Sequence, residues 1–102
     1  MNKEIKLDLT RYYIVSAERA GIFIGNIKER NGTELLMTNV RRIYYWEGAN
    51  SISQLAVTGP MSPSNCKFSV AVEEVLFTNV LEINLCSEKA EKVIKGVKEW
   101  KK

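Results

Sequence analysis

The chain has 102 residues, 45% of them apolar, enough for one domain with one core and no covalent staples, so residues 1–102 are read as a single domain. With no histidine and a single aspartate, Asp8, most hydrolytic triads cannot be assembled, and the usual zinc sites lack ligands. The net charge of +3 arises wholly in the tail: residues 1–86 carry nine basic and nine acidic side chains, whereas residues 87–102 carry six lysines against three glutamates.

In chain order, the start alternates charged with apolar residues and opens no signal peptide; it is expected to fray or to pair along a sheet edge. Thr10–Ala17, rich in β-branched and aromatic residues, reads as a first strand that turns through Glu18 to Gly21, and Gly21–Arg30 as a second. Asn31-Gly32 is the pair best suited to a type I′ hairpin turn, which needs positive φ at both central positions. That turn sets Arg30 opposite Thr33, Glu29 opposite Glu34 and Ile27 opposite Leu36, with a third strand over Thr33–Val40.

A fourth strand, Val40–Gly48, concentrates recognition chemistry, holding two arginines and three large aromatics in nine positions. The two-residue period puts Arg42, Tyr44 and Trp46 on one face and Arg41, Ile43 and Tyr45 on the other. Ser51-Ile-Ser-Gln54 resembles a capping box that opens a short helix ending at Gly59-Pro60, with a strand as the alternative. Met61–Asn65 is a loop. The β-rich run from Cys66 to Cys86 is divided near Glu73-Glu74 and near Thr78-Asn79. Ser87 caps a final helix whose stripe of Ala90, Val93, Ile94, Val97 and Trp100 faces the core. These elements define an α+β, mainly β fold: a twisted or partly closed antiparallel sheet of five to six strands, with a short helix at 51–58 and a C-terminal helix across an open side.

No run approaches the ~20 apolar residues of a membrane helix, so a cytoplasmic protein without membrane contact is expected. Cys66 and Cys86 are then reduced, buried thiols, with a disulfide as the alternative. The lysines of the tail complement a helix dipole, and nucleic acid is not expected as a partner. Neither metal nor cofactor is expected, and no phosphate loop is present. Lys67 beside Cys66 is the one local arrangement that suits a cysteine nucleophile, and Glu73 and Glu74 point to opposite strand faces, so the chain is read as no enzyme.

Recognition remains. Arg41 and Arg42 present planar donor forks for phosphate or carboxylate, and Tyr44 and Trp46 can stack on a flat ring. Asn50, Ser51 and Ser53, at a turn leading into a capped helix start, add polar groups, and Lys67 adds a cation. Together they form the candidate ligand-binding set, suited to a small anionic nucleotide-like ligand. The alternative is that the same aromatics form a hot spot against a protein.

The stretch Arg41-Arg-Ile-Tyr-Tyr-Trp-Glu-Gly-Ala-Asn-Ser-Ile-Ser-Gln-Leu-Ala56, then Gly59, then Asn65-Cys-Lys-Phe-Ser-Val70, resembles a family of small uncharacterised proteins encoded by phages and prophages. The likeness covers roughly residues 12–100, and Ala71 stands where family members carry a proline. The resemblance implies no catalytic residues. It implies an accessory binding protein in the host cytoplasm, acting as a homo-oligomeric sponge for a nucleotide signal in defence evasion, or as an inhibitor or assembly factor on a host enzyme.

Overall fold

Among the described residues, six antiparallel strands and two α-helices follow one another as β1 (Tyr12–Ala17), β2 (Gly21–Asn31), β3 (Glu34–Tyr45), α1 (Ile52–Thr58), β4 (Lys67–Phe68), β5 (Val72–Phe77), β6 (Val80–Leu85) and α2 (Glu88–Lys95). This computed structural model describes residues 6–17 and 19–101. The expectations for Met1–Ile5 and for the turn residue Glu18 lie outside the described residues. Within them, Asp8 folds the entry segment by accepting hydrogen bonds from the Thr10 N–H (2.9 Å) and hydroxyl (2.6 Å).

The sheet runs β4-β3-β2-β1-β6, and β5 also pairs with β3. The outer edge of β3 therefore carries two partners in line, β5 along Leu35–Val40 and β4 at Ile43–Tyr45. β5 and β6 occupy opposite margins of the sheet, yet Thr78 and Asn79 alone connect them, which requires the sheet to curl until its margins approach. The Phe77 ring lies 4.6 Å from that of Phe23 across the resulting concavity. At the same end, the Val80 N–H donates to the Thr33 carbonyl at 3.0 Å.

The curl gives the sheet two buried faces. On one face, Ile14, Ile24, Ile43 and Phe68 pack against Leu55 and Ala56 of α1 and Ala90 and Ile94 of α2, with Cys66 and Cys86 among them. On the concave face, Tyr13, Val15, Phe23, Ile27, Leu35, Met37, Val40 and Phe77 close on themselves. β1 is thus apolar on both sides, which explains why Tyr-Tyr-Ile-Val reads as a continuous run instead of an alternation.

The expected third and fourth strands are one strand, β3, bent by an extra residue. Ile24 pairs with Arg41 and Asn26 with Thr38, so Gly25 alone faces both Asn39 and Val40. Asn39 takes a positive φ of 53°, the left-handed conformation that Asn tolerates better than most residues. A second irregularity at Lys28 on β2 restores the count. The hairpin register also differs from the type I′ expectation: Asn31 pairs with Glu34 and Glu29 with Leu36, so the two-residue loop is Gly32-Thr33 and no glutamates oppose. Gly32 takes the positive φ, while Thr33 is drawn toward the β5–β6 link by its hydroxyl bond to the Thr78 carbonyl.

Ser51 caps α1 by accepting from the Gln54 N–H at 3.1 Å, but the Gln54 side chain reaches forward to Thr58 (3.2 Å), so only half of the capping box forms. Glu73 and Glu74 lie inside β5; the break falls instead at residues 69–71, where the Ser69 hydroxyl accepts from the Arg42 N–H (2.7 Å) and donates to the Val70 carbonyl (2.9 Å). α2 stops at Lys95, with Gly96 as its C-cap. Residues 99–100 then extend beside β4 through a parallel bridge between Phe68 and Glu99, which removes Trp100 from the helical stripe. Both cysteines are free and buried, and among the described residues no helix is long and apolar enough to cross a membrane.

The close approach at the β3 bulge leaves Gly25 no room for a side chain, since a Cβ there meets the Thr38 carbonyl oxygen at 2.7 Å and the Val40 Cα at 3.2 Å. Gly25→Ala is expected to lower stability by about 1–3 kcal/mol, read as a lower urea midpoint at unchanged slope. An unchanged midpoint would show that the bulge relaxes freely.

Candidate functional site

Leu35 and Met37 of β3 point into the concave core, and an undisturbed two-residue period would next send Asn39 and Arg41 there. The extra residue at Asn39 shifts the alternation by one. Val40 is buried on the concave side, and Arg42 and Tyr44 follow it, while Arg41 and Ile43 turn to the helix-bearing face.

The two adjacent arginines consequently differ in environment. The Arg41 Nε donates to the Ser69 carbonyl at 2.9 Å and its Nη1 to the Ile94 carbonyl at 3.4 Å, with the guanidinium 5.1 Å from the Phe68 ring centre. Burial holds its pKa below the ordinary arginine value, and Tyr12 and Glu99 oppose that shift. Arg41 ties β3, the β4–β5 break and the end of α2 together. Arg42 is exposed; its Nη1 donates to the Ala20 carbonyl at 2.5 Å, and its plane lies 4.5 Å from the Phe23 ring centre, leaving the rest of the fork toward solvent.

Arg42 and Tyr44 line a groove of about 420 Å³ together with Phe23 and Val40. Its remaining walls are Ala20, the segment Ser69-Val70, and Val72, Val75, Leu76 and Phe77 of β5. Tyr44, Val70 and Leu76 are each more than half exposed, at 56%, 55% and 58%, so the groove opens into an apolar surface. The Tyr44 ring meets the Trp100 ring edge-on at 5.6 Å. Lys67 Nζ sits 5.2 Å from the Trp100 ring centre and 6.0 Å from that of Tyr45, which extends the face as an aromatic rim held by one cation.

Of the residues singled out from the sequence, Arg42, Tyr44 and Lys67 belong to this continuous face. Trp46 lies beyond the end of β3, packs toward the helix-bearing core and donates from Nε1 to the Ala49 carbonyl at 3.1 Å. Asn50 and Ser51 bond to one another at 2.9 Å, Ser51 caps α1, and Ser53 is exposed on that helix. Sequence reading missed the β5 contribution and Trp100. The signal available was the apolar set Val72, Val75 and Phe77, which the break expected at Glu73-Glu74 divided between two elements.

A second groove, of about 470 Å³, lies at the hairpin tip and is lined by Arg30, Glu34 and Glu82 among others. It is slightly larger, but its charges oppose one another and it gathers no aromatic ring. Among the described residues, no three cysteine or acidic side chains come together as a metal site.

Residues 10–94 match a family described as a domain of unknown function (DUF6948). The chain belongs to the DUF6948 family. No curated protein and no solved structure matches it. Every side chain lining the Arg42 groove falls within the DUF6948 span, while Trp100 lies beyond it.

The contrast between the arginines is directly measurable. Arg41→Ala is expected to cost about 2 kcal/mol of stability, because it removes charge-assisted bonds to two carbonyls, and Arg42→Ala less than about 1 kcal/mol; equal losses in urea unfolding would contradict the assignment. The thiols give a second test. Burial, reinforced by Glu91 and opposed by Arg11, pushes Cys86 up from 9.0 to about 12, and burial moves Cys66 the same way. Unfolding above pH 9 therefore releases thiol protons that the folded chain retains, so this stability is complete below about pH 9 and is lost as pH rises toward 12. The urea midpoint should fall more steeply over that window in the parent than in Cys86→Ala.

Proposed function

We infer that the protein is a non-catalytic docking module that binds a partner protein through the face centred on Arg42 and Tyr44. In the phage setting implied by the sequence resemblance, the partner is a host enzyme in the cytoplasm, held as an inhibitor or assembly factor holds its target. One observation carries this reading: exposed Tyr44, Val70, Val72, Leu76 and Trp100 gather around a single arginine on one side of the molecule. Contiguous apolar surface around an arginine and aromatic rings is the composition of interface hot spots. Ser69, the aliphatic hydroxyl in the groove, is engaged on both sides by the Arg42 N–H and the Val70 carbonyl, which favours binding over chemistry.

A second reading, capture of a small anionic nucleotide-like ligand, is favoured by the shared groove of Arg42 and Tyr44, whose volume lies in the ~300–1,000 Å³ range of ligand sites. It relies on these two side chains, because Arg41 turns to the helix-bearing face and Trp46 packs toward that core, so neither lines the groove. The aliphatic walls contributed by β5 offer such a ligand few polar contacts, which ranks it second.

Affinity capture from host-cell lysate with the full chain, alongside Tyr44→Ala and Leu76→Glu, separates the readings. One stoichiometric protein retained by the parent and weakened at least tenfold in both variants is expected. Release of a nucleotide from heat-denatured parent protein, with no protein partner lost in either variant, would replace docking with capture.

A further inference from the structure

The row of strands beside β3 is already half filled by the chain itself. β4 receives residues 99–100 on its outer side, through the parallel bridge between Phe68 and Glu99 and the Trp100 N–H donated to the Phe68 carbonyl at 2.8 Å. Farther along the same row, β5 pairs with β3, and among the described residues no strand lies against its other edge. An open edge is a template for an added strand. The blunting devices here are partial: Val72–Phe77 contains no proline and no lysine, Glu74 is drawn aside by Lys28 at 3.1 Å, and Glu73 is the exposed charge that remains on the strand.

The groove next to this edge fixes the chemistry of what can be added. Its walls are aliphatic and aromatic, and Arg42 is the one charged side chain among them. With Nη1 bound to the Ala20 carbonyl and one face against Phe23, Arg42 is held in place with the remaining donors of its fork available. Lys67, beyond Tyr44 and Trp100, repeats the sign. A segment entering here meets apolar walls and positive charge, so complementarity selects aliphatic side chains next to a carboxylate. Main-chain pairing along the edge then supplies affinity, and the groove supplies selectivity.

Resting on the docking reading above, we propose that the partner presents an extended acidic-aliphatic segment that adds as a strand to the free edge of β5 and directs a carboxylate to Arg42. The probe is a random 12-residue peptide library displayed and selected against the full chain, followed by synthesis of the enriched peptide. Selected peptides should alternate Val, Ile, Leu or Phe with Asp or Glu. Binding should slow amide exchange at Val72–Phe77 at least tenfold, and methylating alternate peptide amides should abolish it. Arg42→Glu should weaken binding at least tenfold and regain it with a peptide carrying Lys in place of the acid.

Enrichment of basic peptides, no enrichment, or unchanged exchange across β5 in the bound state overturns the proposal. Concentration-dependent protection of β5 without peptide does so as well, since a second copy of the chain then fills the edge. If exchange at β5 is unchanged while Tyr44→Ala and Leu76→Glu still lose the protein partner, strand addition fails and docking stands. If both variants bind that partner normally, the docking reading itself fails.

Discussion

The extra residue at Asn39, seated against the missing side chain of Gly25, decides how the molecule presents itself. A regular β3 would place Arg41 in the concave core behind Met37, where neither the Ser69 nor the Ile94 carbonyl would meet it. The bulge exchanges the two arginines, one becoming a tie between layers and the other the positive point of an apolar groove. It also bends the strand, so that β4 and β5 can sit in line on one edge while the sheet curls. Everything assigned to the surface, including the partnership of Arg42 with Tyr44, follows from that single offset.

Much of the fold was legible because local chemistry and global structure agree. The β-branched and aromatic runs form strands, Ser51 and Ser87 cap helices, Thr78-Asn79 divides two strands, and the mainly β sheet with a C-terminal helix is as the pattern implies. The departures have a common cause, since each depends on a partner distant in sequence. Nothing within residues 31–33 reveals that Thr33 will bond to Thr78, which shifts the turn by one position. Glu73-Glu74 looks like a break because charged pairs are depleted in strands, yet an edge strand with solvent on one side accommodates them. α2 ends early because Gly96 favours a stop and the residues after it find a better partner in the β4 backbone.

For the site, the two-residue period correctly joined Arg42 to Tyr44, since both lie on the same side of the bulge. It extended that face to Trp46, which the strand end carries elsewhere. It could not supply Phe23, Val70, Val72, Leu76 or Trp100, which come from four separate segments brought together only by the curl of the sheet. The polar turn at Asn50, Ser51 and Ser53 attracted interest for its donors. In the fold those groups serve the turn and the helix cap, the ordinary use of such residues.

The two-residue link between opposite margins of the sheet also bears on how the chain is made. β1 waits for β6, and β3 waits for β5, so the strands formed first hold edges and apolar faces that α1 and the final third of the sequence must together cover. During synthesis, little of the native layer arrangement can assemble until residues near Leu85 have left the ribosome. Topologies dominated by such distant pairings fold slowly relative to helical domains of similar size. The nascent β1–β3 meander, with Ile14, Phe23 and Met37 uncovered, is therefore the stage at which chaperone attention matters most.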